Sequence, residues 1–195
     1  MSNFAGDDRT QVWQLGRALS THLHVHLAEF LQPQTWADLA FLAVAQGPGG
    51  FTGTRIGVVT ARTLAQQLDI PLFGVSTLAA VAQDYIQTTP ALLESVYQTP
   101  IAVQMAAQRG EVFGAIYQAS PTGLHPQLSD TVMSLSTWQQ TLADRTSPYH
   151  LIHADNGLGA SVTGVLALAH DRWQQGLRPH WPDVLPFYGQ HPVIR

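Results

Sequence analysis

Apolar and polar residues recur at two periods along the chain, and the switches between them mark the elements. Residues 2–8 read as a strand end running into a polar turn, and residues 10–16 as a further strand. Leu23, Leu27, Phe30 and Leu31 then share one face of a helix, capped at Ser20 or Thr21 and stopped before Pro33. Residues 39–45 are a near-continuous apolar run ended by glycines, which predicts a strand buried on both faces of a parallel or mixed sheet. Val58, Ala61, Leu64, Ala65 and Leu68 stripe a helix over 54–68, which Asp69 and Pro71 end. A strand over 71–75 follows, and Ser76 or Thr77 caps a helix to about residue 86. Strand, helix, strand, helix in this order predicts an α/β lobe.

Residues 88–100 hold two prolines and a broken pattern, which places a boundary there. The division is a first lobe over 1–95 and a smaller second lobe over 96–195, with the last helix free to pack back on the first. In the second lobe, strands at 101–105 and 111–118 flank a glycine-containing turn at 108–110, the pattern of a hairpin. A loop at 120–126, a strand at 131–135, a helix at 136–144, a strand at 149–153 and a helix at 161–175 complete the reading. The proline-rich tail 178–195 is expected to be irregular.

Composition narrows the chemistry. Of 195 residues 45% are hydrophobic, enough for a buried core. The apolar runs fall far short of the roughly 20 residues that cross a bilayer, and no leader pattern opens the chain, so the cytoplasm is the expected location. With no cysteine there is no thiolate nucleophile and no sulfur-based zinc site. All nine basic residues are arginine, which excludes Schiff-base chemistry and a phosphate-loop lysine. The net charge is −4 and the arginines are scattered, so no stripe for a nucleic-acid backbone is apparent.

The most informative stretch is GPGGFTGTRIG at 47–57, between the buried strand and its helix. Such a loop can offer backbone N–H groups and a positive helix end to an anion. It lacks the glycine-lysine-serine/threonine ending of a phosphate loop, and its glycines are out of register for a dinucleotide fingerprint. A purely structural use is the alternative: Gly47, Gly49 and Gly50 would permit a tight turn and close helix packing. As a whole, however, the segment resembles the TsaB (YeaZ-like) family, in which a strand leads into GPGSFTGxRIG and a later strand ends in GVSTL. Gly47, Pro48, Gly49, Phe51, Thr52, Gly53, Arg55, Ile56 and Gly57 match, Gly50 replaces the usual serine, and Gly74, Val75, Ser76, Thr77 and Leu78 follow. Weaker similarity reaches Arg109 to Phe113, Ala154 to Gly157 and Leu185 to Tyr188, although Ala106, Ala107 and Gln108 replace the family's Asp-Ala-Arg.

The resemblance implies an actin-like, hsp70-like two-lobed (ASKHA) fold. It also implies a non-catalytic scaffold or dimerisation subunit supporting TsaD in the synthesis of tRNA threonylcarbamoyladenosine. No intrinsic cofactor is then expected; ATP and metal belong to partner subunits, a TsaE-like ATPase joins the complex, and tRNA is reached only through it. The related TsaD carries metal-binding histidines beyond the corresponding strand, whereas residues 75–79 here supply no strong ligand. Family members begin with a strand ending in Asp-Thr-Ser, and Met1 falls where their second strand ends, so the fold is expected without its first strand and the native start upstream. First-lobe helices of the family pack against TsaD or a second copy, which nominates Val58, Arg62 and Gln66 as an exposed contact face. The alternative is an independent weak ATPase or metallopeptidase-like enzyme of the same fold.

Other constellations are weaker. His22 and His26 lie one helical turn apart but lack the glutamate of a zinc-protease motif. Ser76, a histidine and Asp155 could be assembled into a hydrolase triad, yet no nucleophile elbow surrounds Ser76. Arg109 and Glu111 read as a solvated pair on the hairpin.

Overall fold

In the computed structural model, which describes residues 1–89, 93–154 and 157–189, the central strands bury side chains on both faces and the outer ones on one, producing a layered α/β molecule. The elements run α1 (Leu19–Leu31), β1 (Leu42–Gly47), α2 (Phe51–Leu68), β2 (Leu72–Ser76), α3 (Thr77–Thr88), a short α4 (Leu93–Val96), β3 (Ile101–Ala106), β4 (Glu111–Ser120), β5 (Gly123–Ser134), α5 (Leu135–Ala143), β6 (His150–His153) and α6 (Val162–Gln174). β1 and β2 pair in parallel; β5, β4, β3 and β6 form a second sheet in that order, antiparallel except for β3 with β6.

Helices α3 and α6 lie between the two sheets. Toward β1 and β2 they bury Phe73 and Val75 against Ala80, Val165, Leu168 and Ala169. Toward the second sheet, Leu78, Val81 and Ala82 meet Ile101, Val103, Met105, Phe113 and Ala115. The helices approach so closely that a side chain at Gly164 would meet the Ala80 carbonyl. On the outer faces, Val58 and Ala65 of α2 cover Leu72, and Trp138 and Leu142 of α5 cover Ala102, Val112 and Ile116. Each fully buried large side chain contributes about 1.5–3 kcal/mol over its exposed state. Trp138 fits because Gly114 has no side chain to displace it, and its indole N–H donates to Gln104 Oε1 at 2.8 Å.

Several expected elements are redrawn. Residues 10–16 form no strand; Trp13 instead packs its ring on His26 and Phe30 of α1. α1 begins at Leu19, so Ser20 and Thr21 lie within it and do not cap it: a 3-10 turn at Gly16–Ala18 delivers the chain already helical, and Ala18 makes no side-chain cap. β1 is half-buried except at Gly47, since among the described residues it pairs with β2 alone. β5 is one long strand, where a loop and a short strand were expected. Pro126 is tolerated because β5 is an edge strand with a register irregularity beside it.

Candidate functional site

The glycine loop joins β1 to α2 as expected, and its surroundings decide what it can hold. Gly47 adopts φ +110°, a conformation open to glycine, and the Gly47–Pro48 peptide is cis. Gly50 is the N-cap of α2 and its carbonyl accepts from Thr54 N–H at 2.9 Å. Gly49 sits tightly against Thr54 Oγ1, Gly53 faces Leu19 of α1, and Gly57 faces Val44 of β1. Phe51, Thr52, Gly53 and Arg55 are exposed, and among the described residues Arg55 has no ion-pair partner.

The inner side of the loop is occupied by the chain itself. The tail over 184–189 crosses it: Phe187 N–H donates to the Gln46 carbonyl at 2.6 Å, and the Phe187 carbonyl lies where a Gly47 side chain would be. Tyr188 packs on Phe51 at 4.6 Å between ring centroids, and Phe187 reaches Phe113 of the second sheet at 6.5 Å. A carbonyl dipole turned toward Gly47 opposes an anion there, and Pro48 has no N–H to offer. Gly47 therefore serves a close backbone crossing.

Beneath the loop, Gly47 is in register with Ser76 of β2. Ser76 caps α3, accepting from Ala79 N–H at 3.1 Å, and lies 3.2 Å from Tyr117 Oη. The phenol donates its one proton to Asp130 Oδ1 at 2.6 Å, and the serine hydroxyl shares its own between Tyr117 Oη and the Asp130 carboxyl. Burial pushes the Asp130 carboxyl above its ordinary range, partly offset by hydrogen bonds from Ser76 and Tyr117. Burial and the neighbouring Asp130 push the Tyr117 phenol well up. The network ties the start of α3 to β4 and β5. Sequence reasoning missed both partners, although a tyrosine on the inward face of β4 needs a partner for its hydroxyl and an aspartate within a strand is uncommon.

Among the described residues no histidine contacts Ser76, and the proposed triad member Asp155 lies outside them. His26 stacks on Trp13 at 5.2 Å and approaches Glu29 at 3.6 Å, while His22 is 6.3 Å from it ring to ring. Arg109 occupies the hairpin turn at φ +59° and Glu111 opens β4 opposite Ser134. Within residues 75–79, Val75 and Leu78 are core.

The suggested contact face needs correction. Val58 is fully buried between α2 and Leu72, so it is core and cannot be an exposed anchor. Arg62 is half-buried over the Trp181 ring at 5.6 Å; Gln66 is exposed. The open face of α2 instead runs through Phe51, Arg55, Val59, Thr63 and Gln66, with Val59 51% exposed. Neighbouring α1 buries only Leu31 and leaves Val25 43% exposed.

Residues 17–164 match the family model described as "TsaD: tRNA N6-adenosine threonylcarbamoyltransferase". The tRNA threonylcarbamoyladenosine biosynthesis protein TsaB of Bacillus subtilis is 33% identical over 121 residues, 62% of this chain and 49% of the relative. The protein of that name from Escherichia coli is 36% identical over 97 residues, 49% and 39% of the two chains. The chain thus matches about half the length of these relatives or less. Among solved structures, YeaZ from Pseudomonas aeruginosa superposes with a TM-score of 0.65 at 23% identity, covering 88% of this chain and 86% of that one. The likeness shows that the sheets and helices are arranged as in YeaZ.

Proposed function

The chain belongs to the TsaB (YeaZ-like) family, within the domain family that the TsaD model describes, and from that premise we propose that it is a non-catalytic supporting subunit in tRNA threonylcarbamoyladenosine synthesis. Its role is to hold a TsaD-like catalytic subunit in a competent arrangement. A TsaE-like ATPase, ATP, metal and tRNA enter through that complex, and a homodimer uses the same surface when the partner is missing.

The observation that carries this reading is the closed glycine loop. A loop turned toward phosphate chemistry would present free N–H groups to a cleft, whereas here the Phe187 backbone lies against Gly47. The segment after β2 supports the same conclusion, because its side chains are committed to core and to the Ser76 cap. What the chain leaves open is apolar helix surface at Phe51, Val59 and Val25, suited to a protein partner.

Light scattering after size-exclusion separates the possibilities. The chain alone is expected to run as a dimer that exchanges for a one-to-one complex when TsaD is added. A monomer indifferent to TsaD would overturn the assignment.

A further inference from the structure

Two of the arginines, Arg172 and Arg178, lie six residues apart and reach one cleft. At the outer edge of β2, the last turn of α6, the segment after it and the 3-10 turn Trp181–Asp183 enclose about 430 Å³. Arg172 and Arg178 stand on its wall, with Phe73, Leu177 and Val184 as an apolar side.

Both guanidinium groups are held in place by bonds that leave their charge uncompensated. Arg172 Nη1 donates to the Gly74 carbonyl at 3.1 Å, on β2. Arg178 Nη1 donates to the Trp173 and Leu177 carbonyls at 2.9 and 2.7 Å. The Arg178 guanidinium lies on the Trp173 ring, 3.3 Å from its centroid, and that ring stacks on Phe41 at 5.1 Å. Neither arginine has a carboxylate partner among the described residues, whose ion pairs are Arg9 with Asp7 and His26 with Glu29. Asp183 is the acidic residue on the wall, so the lining carries a net positive charge.

We propose that this cleft binds a small organic phosphate, with phosphoryl oxygens on Arg172 and Arg178 and an apolar or aromatic body against Leu177 and Val184. Each arginine spends Nη1 on the backbone and retains N–H donors for an oxyanion. Two guanidinium groups from different segments favour a phosphoryl group, whose three oxygens can serve both; a carboxylate's two are satisfied by a single fork. The volume lies within the range of small-molecule sites, and the apolar side accounts for an organic body over inorganic phosphate. This site adjoins the glycine loop at Gln46 but does not depend on the subunit's role.

The test is titration of the full chain with phenyl phosphate, followed by tryptophan fluorescence, with benzoate, inorganic phosphate and a polyuridine oligonucleotide as comparison ligands. Saturable binding is expected, tighter for phenyl phosphate than for the others. Arg172→Met and Arg178→Met should each weaken it at least about tenfold, the loss of one charge-assisted contact. Arg178→Lys should retain part of the affinity, and Arg17→Ala all of it. Should a methionine variant lose its far-UV circular dichroism, indole N–H shifts in the unaltered protein serve instead, with Trp173 expected to respond. No saturable binding, an equal loss in Arg17→Ala, or tighter binding of benzoate or of the oligonucleotide would each overturn the proposal.

Discussion

At the scale of single residues, two glycines three positions apart, Gly47 and Gly50, separate shape from tolerance. Gly47 combines φ +110° with the Phe187 carbonyl in its side-chain space, so Gly47→Ala should destabilise by about 2–4 kcal/mol and loosen the tail. Gly50 has open space and caps α2, so Gly50→Ser, which restores the family's serine, should gain about a few tenths of a kcal/mol. Chemical denaturation of both variants measures the contrast. The Asp130 network gives a pH dependence with a definite sign. Because the folded carboxyl has a raised pKa, its stability contribution is complete below the unfolded value of about 3.9 and is lost as pH rises through the folded value. Asp130→Asn retains an acceptor for the Tyr117 hydroxyl without a buried charge, so that decline should vanish in a comparison of unfolding midpoints across the acidic range.

At the scale of elements, the contact face rests on which side of α2 is free. Val59→Asp should leave stability within about 0.5 kcal/mol while weakening TsaD binding by about 2 kcal/mol or more. Val58→Asp should instead cost several kcal/mol of stability, since it buries a charge without a partner. Circular dichroism melting and calorimetric titration distinguish the two. This neighbouring pair also shows where sequence reading stops. The helical stripe was legible because Val58, Ala61 and Ala65 repeat at helical spacing, but their period does not say which side faces β2 and which faces a partner. The β2–α3 junction was legible too, down to the Ser76 cap, because local chemistry determines it. β5 was not, because Pro126 and Gly123 read as loop until pairing with β4 makes an edge strand of them. The crossing of the tail over Gly47 joins residues about 140 positions apart, beyond any local signal.

At the scale of the whole molecule, α3 and α6 form a shared middle layer, so the cores on both sides of them meet at one helix pair. The Ser76, Tyr117 and Asp130 bonds and the Phe187 contact with Phe113 reinforce that junction. Such bracing suits a body that presents a rigid helical surface better than one that opens and closes around a nucleotide. The claim is tested most directly by reconstituted threonylcarbamoylation of tRNA, with the proposed TsaD-like and TsaE-like proteins supplied and this chain present, omitted or replaced by the Val59→Asp variant. Turnover should require the unaltered chain, fall sharply with Val59→Asp, and be undetectable with this chain alone. Product formed by the isolated chain, or undiminished turnover in its absence, would contradict the account.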